Sequence, residues 1–144
     1  DLNRVKWNEL PLKDAVKVVY GSGERKVIVF TDANCPYCRM LEQNLRKVGN
    51  ITVYNFMYPV LRSREEARRI VCSKDPVKTF TESMATGEVP EVGPCSNSAV
   101  LDRNITLGQK LGINSIPAVI FEDGSRNTGL ISVEAIEEKL AVGR

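Results

Sequence analysis

The stretch from Lys26 to Tyr58 restricts the possible folds more than any other part of the chain. Lys26-Val-Ile-Val-Phe-Thr31 is a short continuous apolar run, the pattern of a strand covered on both faces. After it, Leu41, Leu45 and Val48 recur at helical spacing until Gly49 stops the helix. Ile51-Thr-Val-Tyr-Asn-Phe-Met-Tyr58 reads as a second strand, ended by Pro59. Strand, helix and strand in such close succession make a βαβ unit, which requires parallel strands and a right-handed crossover. Two cysteines, Cys35 and Cys38, stand one helical turn apart where the helix of that unit begins.

The remaining chain supplies one domain's worth of elements and no repeats. Its 144 residues, 42% hydrophobic and 26% charged, suffice for a core that does not need cross-links to form. Leu12, Ala15, Val16 and Val19 share a helical face, which predicts a helix over 10–19, although Val18-Val19-Tyr20 also suits a strand. Helices are expected over 63–74, 76–86 and 99–111, interrupted by Asp75-Pro76 and by a Gly/Pro-rich loop over 87–95. A hairpin follows, with Ala118–Phe121 and Arg126–Leu130 flanking an Asp-Gly turn. A last helix starts after Ser132 and presents Val133, Ile136 and Leu140 to the core.

Charge and composition exclude several functions. A net charge of +2 is too small to mark a nucleic-acid or anionic-membrane partner. The densest basic run, Arg62–Arg69, interleaves Glu65 and Glu66 and reads as a paired helix surface. No apolar run reaches the ~18–20 residues of a membrane span. The chain opens on Asp1 with no charged-then-apolar leader, as expected of a processed or excised form. There is no histidine, so Ser-His and Cys-His nucleophile arrangements are excluded.

Four cysteines remain to carry chemistry, and one Cys-x-x-Cys by itself says little. A zinc site needs a second ligand pair, whereas Cys72 and Cys95 are far apart in sequence and no histidine completes a set. No metal is expected. The redox reading has a physical basis: Cys35 falls at a helix N-terminus, where unpaired N–H groups and the macrodipole favour a thiolate. Cys38, one turn deeper, can attack a mixed disulfide formed at Cys35. Pro36 suits the first helical turn, where its missing N–H has no partner to lose.

Ile116-Pro117 lies between a helix stop and a strand start, where a proline can be held cis, although an ordinary loop proline is the commoner case. Cys72 and Cys95 lack the strand-to-helix setting that activates a thiol. A structural bridge is expected between them, which implies an oxidising compartment. Two buried free thiols are the alternative.

With these residues in place, the chain resembles the catalytic domain of the DsbC/DsbG group of bacterial periplasmic thiol:disulfide interchange proteins. The resemblance rests on Val-Phe-Thr-Asp-x-x-Cys-Pro-Tyr-Cys at 29–38, Val-Cys-Ser-Lys-Asp at 71–75 and Pro-Cys at 94–95. Leu-Gly-Gln-Lys-Leu-Gly-Ile at 107–113 and Ile-Pro-Ala-Val-Ile at 116–120 extend it. It implies an α/β thioredoxin-like fold, βαβ plus ββα, over 21–144. A helical subdomain, at about 60–112, is inserted between the second and third core strands. Residues 1–20 would be the remnant of a linker helix.

The resemblance also implies site roles. Cys35 would attack and Cys38 resolve; Pro36, Tyr37, Ile116 and the cis Pro117 would meet the substrate; Cys72–Cys95 would be non-catalytic. No cofactor is implied beyond the Cys35–Cys38 couple. Implied partners are oxidised or misoxidised secreted proteins and a membrane reductase of the DsbD type. The full-length protein would be a homodimer formed through an N-terminal domain that the sequence lacks.

Two residues depart from the group. Pro36 stands where DsbC-type sites carry Gly, and Ile116 where members carry Thr before the proline. The expected function is a periplasmic disulfide reductase or isomerase. A DsbA-like dithiol oxidase and a redox-inert peptide-binding module are the alternatives. A glutaredoxin is disfavoured by the long stretch between Tyr58 and Ile116.

Overall fold

The structure is a computed structural model that describes residues 4–142. Five strands form one sheet: β1 (Val16–Tyr20), β2 (Arg25–Thr31), β3 (Ile51–Met57), β4 (Ala118–Phe121) and β5 (Arg126–Thr128). Their order is β1-β3-β2-β4-β5. Only β2 and β3 run parallel, with Val27 opposite Val53 and Thr31 opposite Met57. Helix α1 (Pro36–Val48) makes their crossover. Helices α2 (Arg64–Cys72), α3 (Pro76–Thr86) and α4 (Val100–Lys110) all lie between β3 and β4, and α5 (Val133–Val142) closes the chain.

The expected helix over 10–19 is not formed. Leu12–Asp14 is a single 3₁₀ turn, and Val16–Tyr20 is a strand paired antiparallel with β3. The segment carries both patterns, a helical face of Leu12, Ala15, Val16 and Val19 and a period-two pair of Val16 and Val18. Val16 and Val18 are buried while Lys17 and Val19 are exposed, and β3 offers the pairing partner that decides between the two patterns. Residues 4–20 therefore form no linker helix; residues 1–3 of that expectation lie outside the described residues. The second strand of the hairpin is also shorter than expected, ending at Thr128.

The pleat divides the core. Val27, Val29, Val53, Val119 and Phe121 join Leu41 and Leu45 of α1 and Ile136 and Leu140 of α5. Ile28, Phe30, Phe56 and Ile120 form a second cluster with Val5 and Ile113, against which Trp7, Ile105 and Leu107 pack. Phe30 and Phe56 stack at 5.1 Å, and Tyr58 meets Phe30 edge-on at 5.4 Å. A third cluster joins Met57 to Ile70, Phe80, Met84 and Leu101 of the inserted helices, and it includes Cys35 and Cys38. The inserted helices thus form one wall of the cysteine site.

Local chemistry sets the helix ends. Asp75 caps α3 by accepting the Lys78 N–H at 3.1 Å, and Pro76 occupies the first helical position. The αL turn that ends α3 falls on Gly87, at φ +80°. Along α2, Glu65 bridges Arg68 and Arg69 as the charge pattern predicts, and these cations hold its carboxyl down at about 2. Among the described residues, no helix is long and apolar enough to cross a membrane.

Gly108 of α4 packs closely against Tyr58. A Cβ there would stand 2.2 Å from Cε1 of Tyr58, whose hydroxyl donates to the Ile113 carbonyl at 2.9 Å. Gly108→Ala should therefore displace the ring and lower stability by about 1–3 kcal/mol through overpacking. Urea denaturation checks this; an unchanged midpoint would show that the ring is not seated against α4.

Candidate redox site

The site is assembled where β2 ends and α1 begins. Cys35 is the N-cap of α1, with extended backbone (φ −102°, ψ 111°), and its Sγ accepts the Cys38 N–H at 3.2 Å. A sulfur thus takes the place of the usual Ser or Asp oxygen and receives one of the orphan donors of the first turn. Pro36 fills the first helical position. Cys38 lies one turn along, and both thiols are free.

Both sulfur-bearing residues are buried. Cys35 is 4% exposed and Cys38 1%. Both sit in the cluster with Ala33 and Met57, against which Ile116 and Val89 pack. The sequence shows Cys35 opening a helix, but not that the Ile116-Pro117 segment folds back towards it. Tyr37, by contrast, is 61% exposed, and Pro36 is also exposed.

The Ile116–Pro117 peptide is cis, and the Cys35 Sγ lies 4.0 Å from the Ile116 carbonyl oxygen. Pro117 is buried and Ile116 partly so. The structure therefore gathers Cys35, Cys38 and the Ile116-Pro117 segment, while Pro36 and Tyr37 face outward from the same turn. Cys72 and Cys95 are joined to each other, with Cα atoms 5.5 Å apart, at the end of α2.

Electrostatics separate the two thiols' surroundings. Burial pushes the Cys38 thiol far above its ordinary value, and the neighbouring Cys35 side chain adds to this. The Thr31 hydroxyl and the Asp32 N–H act in the opposite direction, favouring the thiolate. Cys38 is thus a protonated, shielded thiol in the resting reduced state.

Sequence reasoning missed several buried polar groups around this pair. Asp32 is fully buried, which raises its carboxyl, and Ser63 donates to it. Glu42, one turn beyond Cys38 on α1, is buried and accepts the Tyr20 hydroxyl; burial pushes both groups up. Glu42 was in principle findable, since it lies four residues after Cys38 on the face that carries Leu41 and Leu45. Asp32 was not, because its partner comes from the inserted segment.

A buried strand feeding a helix capped by a thiol, with a cis-proline beside that thiol, defines the thioredoxin-like class. Residues 12–143 match the family described as the thioredoxin-like domain. A disulfide interchange protein from Neisseria gonorrhoeae superposes with a TM-score of 0.85 at 31% identity, covering 92% of this chain and 97% of that one. The chain belongs to this thioredoxin-like family of disulfide interchange proteins. It is 39% identical over 141 residues to the probable thiol:disulfide interchange protein DsbC of Bordetella pertussis, covering 96% of this chain and 50% of the relative. It is 27% identical to the DsbC of Escherichia coli, covering 96% of this chain and 61% of the relative. The chain thus spans about half the length of the Bordetella relative.

Proposed function

We propose that this chain is the catalytic module of a periplasmic protein-disulfide reductase or isomerase, acting through a mixed disulfide at Cys35 that Cys38 resolves. The observation that carries the reading is the position of the Cys35 sulfur. It caps α1, receives the Cys38 N–H and lies against the cis Ile116–Pro117 segment. Helix-terminus donors stabilise negative charge on that sulfur, and the thiolate is the attacking species.

The Cys35 thiolate attacks a substrate disulfide, forming a Cys35–substrate bond and releasing the other substrate sulfur as a thiolate. Cys38, protected until then by burial, attacks Cys35 and releases the second substrate sulfur. The substrate disulfide gains two electrons and the cysteine pair loses two. Isomerisation follows the same first step, with a substrate thiol rather than Cys38 displacing Cys35. The exposed Tyr37 and Met40 and the segment at Ile116-Pro117 would receive an extended polypeptide. Substrates would be misoxidised secreted proteins, and a membrane reductase of the DsbD type would restore the dithiol. A longer form of the protein would be a homodimer.

Equilibration with glutathione redox buffers tests the direction of electron flow. A potential close to the thioredoxin value of about −270 mV supports a reductase, and one near −120 mV makes the module an oxidase. Ile116→Thr should raise the potential, because a hydroxyl near the sulfurs stabilises the dithiol form. One hydrogen bond to a charged group is worth about 1.5–3 kcal/mol, or about 30–60 mV for a two-electron couple. A lower or unchanged potential in the same buffers would contradict it.

A further inference from the structure

The short loop between β3 and α2 is pinned at both ends to the stretch that leads into Cys35. At its start the Tyr58 N–H donates to the Thr31 carbonyl at 2.9 Å, and at its end the Ser63 hydroxyl donates to Oδ2 of Asp32. Tyr58 and Ser63 are both buried, so these bonds are shielded from water. Inside the loop the Val60 N–H turns back to the Tyr58 carbonyl at 2.9 Å, and Arg62 takes the left-handed backbone at φ +57°. Left-handed backbone is disfavoured for a residue with a Cβ, so the anchors rather than local preference set the shape of this loop.

The loop presents apolar side chains to solvent. Val60 is 43% exposed and Leu61 50%. Single exposed apolar residues are ordinary on a protein surface, but two in succession on a turn anchored beside a reactive thiol are not. Leu61 is two residues from Ser63, and Cys35 is three from Asp32. Chain length therefore bounds the Leu61–Cys35 separation at about 25 Å, a span that about seven extended residues cover. A further tie, from Asn34 Nδ2 to Glu66 at 3.2 Å, draws the first turn of α2 to the residue preceding Cys35. With the exposed Tyr37 and Met40 of α1, apolar side chains from two elements gather at this end of the sheet.

We propose that Val60 and Leu61 form a subsite for an apolar side chain of the oxidised polypeptide, a few residues removed from the cysteine that Cys35 attacks. This deepens the reading of Cys35 as the attacking thiol and rests on it. The occupant is a misoxidised substrate chain rather than a second copy or a lasting partner. Two half-exposed side chains fall far short of the ~800 Å² that each side of a stable interface buries, whereas a substrate must leave after each exchange. A misoxidised chain also brings both groups that this surface suits, a disulfide to attack and apolar side chains that a native fold would bury. Oxidised glutathione brings the disulfide without an apolar side chain, so it gains nothing from the subsite.

The test compares the second-order rates at which the reduced 144-residue chain attacks insulin, a polypeptide with many apolar side chains, and oxidised glutathione. Both reactions are quenched by acid and read by mass spectrometry. Leu61→Ser should slow the attack on insulin about three- to tenfold, the worth of burying half a leucine side chain, and leave that on glutathione unchanged. Val60→Ser/Leu61→Ser should slow insulin further, and Leu61→Met, which keeps the apolar bulk, should restore the rate. Val19→Ser is the control. Val19 is 51% exposed but lies opposite Thr52, at the other end of the sheet from Cys35, and its replacement should leave both rates unchanged. An unchanged insulin rate in Val60→Ser/Leu61→Ser, an equal fall with glutathione, or an equal fall in Val19→Ser overturns the proposal. Failure of the unmodified chain to form a mixed disulfide at Cys35 with either compound would instead remove the reading on which it rests, and the proposal with it.

Discussion

Cys35→Ser is expected to abolish disulfide exchange, with insulin reduction falling at least ~10³-fold, while the fold survives intact. Exchange proceeds by thiolate attack on a disulfide sulfur, and a serine hydroxyl neither ionises near neutral pH nor forms that bond. The substitution is gentle structurally, because Cys35 is the N-cap of α1 and serine is among the preferred residues there. Its oxygen can accept the Cys38 N–H in place of the sulfur. Circular dichroism and the melting temperature should therefore match the unmodified chain. Cys38→Ser should behave differently, accumulating substrate on Cys35 because nothing remains to release it. If Cys35→Ser kept its activity through Cys38 alone, the assignment of roles would be wrong.

Removing the Cys72–Cys95 bridge should produce the largest loss of stability. The bond links positions 23 apart, and closing a loop of that length is worth about 3.4 kcal/mol on the chain-entropy relation. Set against a total of about 5–15 kcal/mol for a domain, that is a large fraction. The bridge is also tied to the core. Cys72 ends α2, and next to it Ile70 and Val71 pack into the cluster that holds Cys35 and Cys38. A Cys72→Ala/Cys95→Ala variant should show a urea midpoint shifted by about 3 kcal/mol in free energy. Its exchange rate per folded molecule should stay close to that of the unmodified chain, since the free thiols Cys35 and Cys38 are left in place. A shift below about 1 kcal/mol would mean that the inserted helices hold together without the bridge.

These expectations differ in how far the sequence alone supports them. The βαβ unit was legible because its three parts each carry a local signature: the apolar run at 26–31, the helical repeat of Leu41 and Leu45, and the stop at Gly49. The thiol at the N-cap followed from the same pattern. Residues 10–19 misled, because Leu12, Ala15, Val16 and Val19 fit the helical period while Val16 and Val18 fit the alternating one, and only pairing with β3 distinguishes them. The burial of Cys35 was not legible, since the Ile116 carbonyl beside its sulfur comes from a segment remote in sequence. The Ser63–Asp32 bond was hidden for a related reason. Ser63-x-x-Glu66 reads as a cap by spacing, and only the packing of α2 against the redox loop turns its hydroxyl away.

Pulse alkylation of the fully reduced chain at neutral pH, with the modified cysteine identified by peptide mass spectrometry, asks which sulfur reacts. Cys35 should be labelled within the pulse, and Cys38 should remain unmodified until the protein is unfolded. Labelling of Cys38 ahead of Cys35, or of neither before unfolding, would contradict a redox site built on the thiol that caps α1.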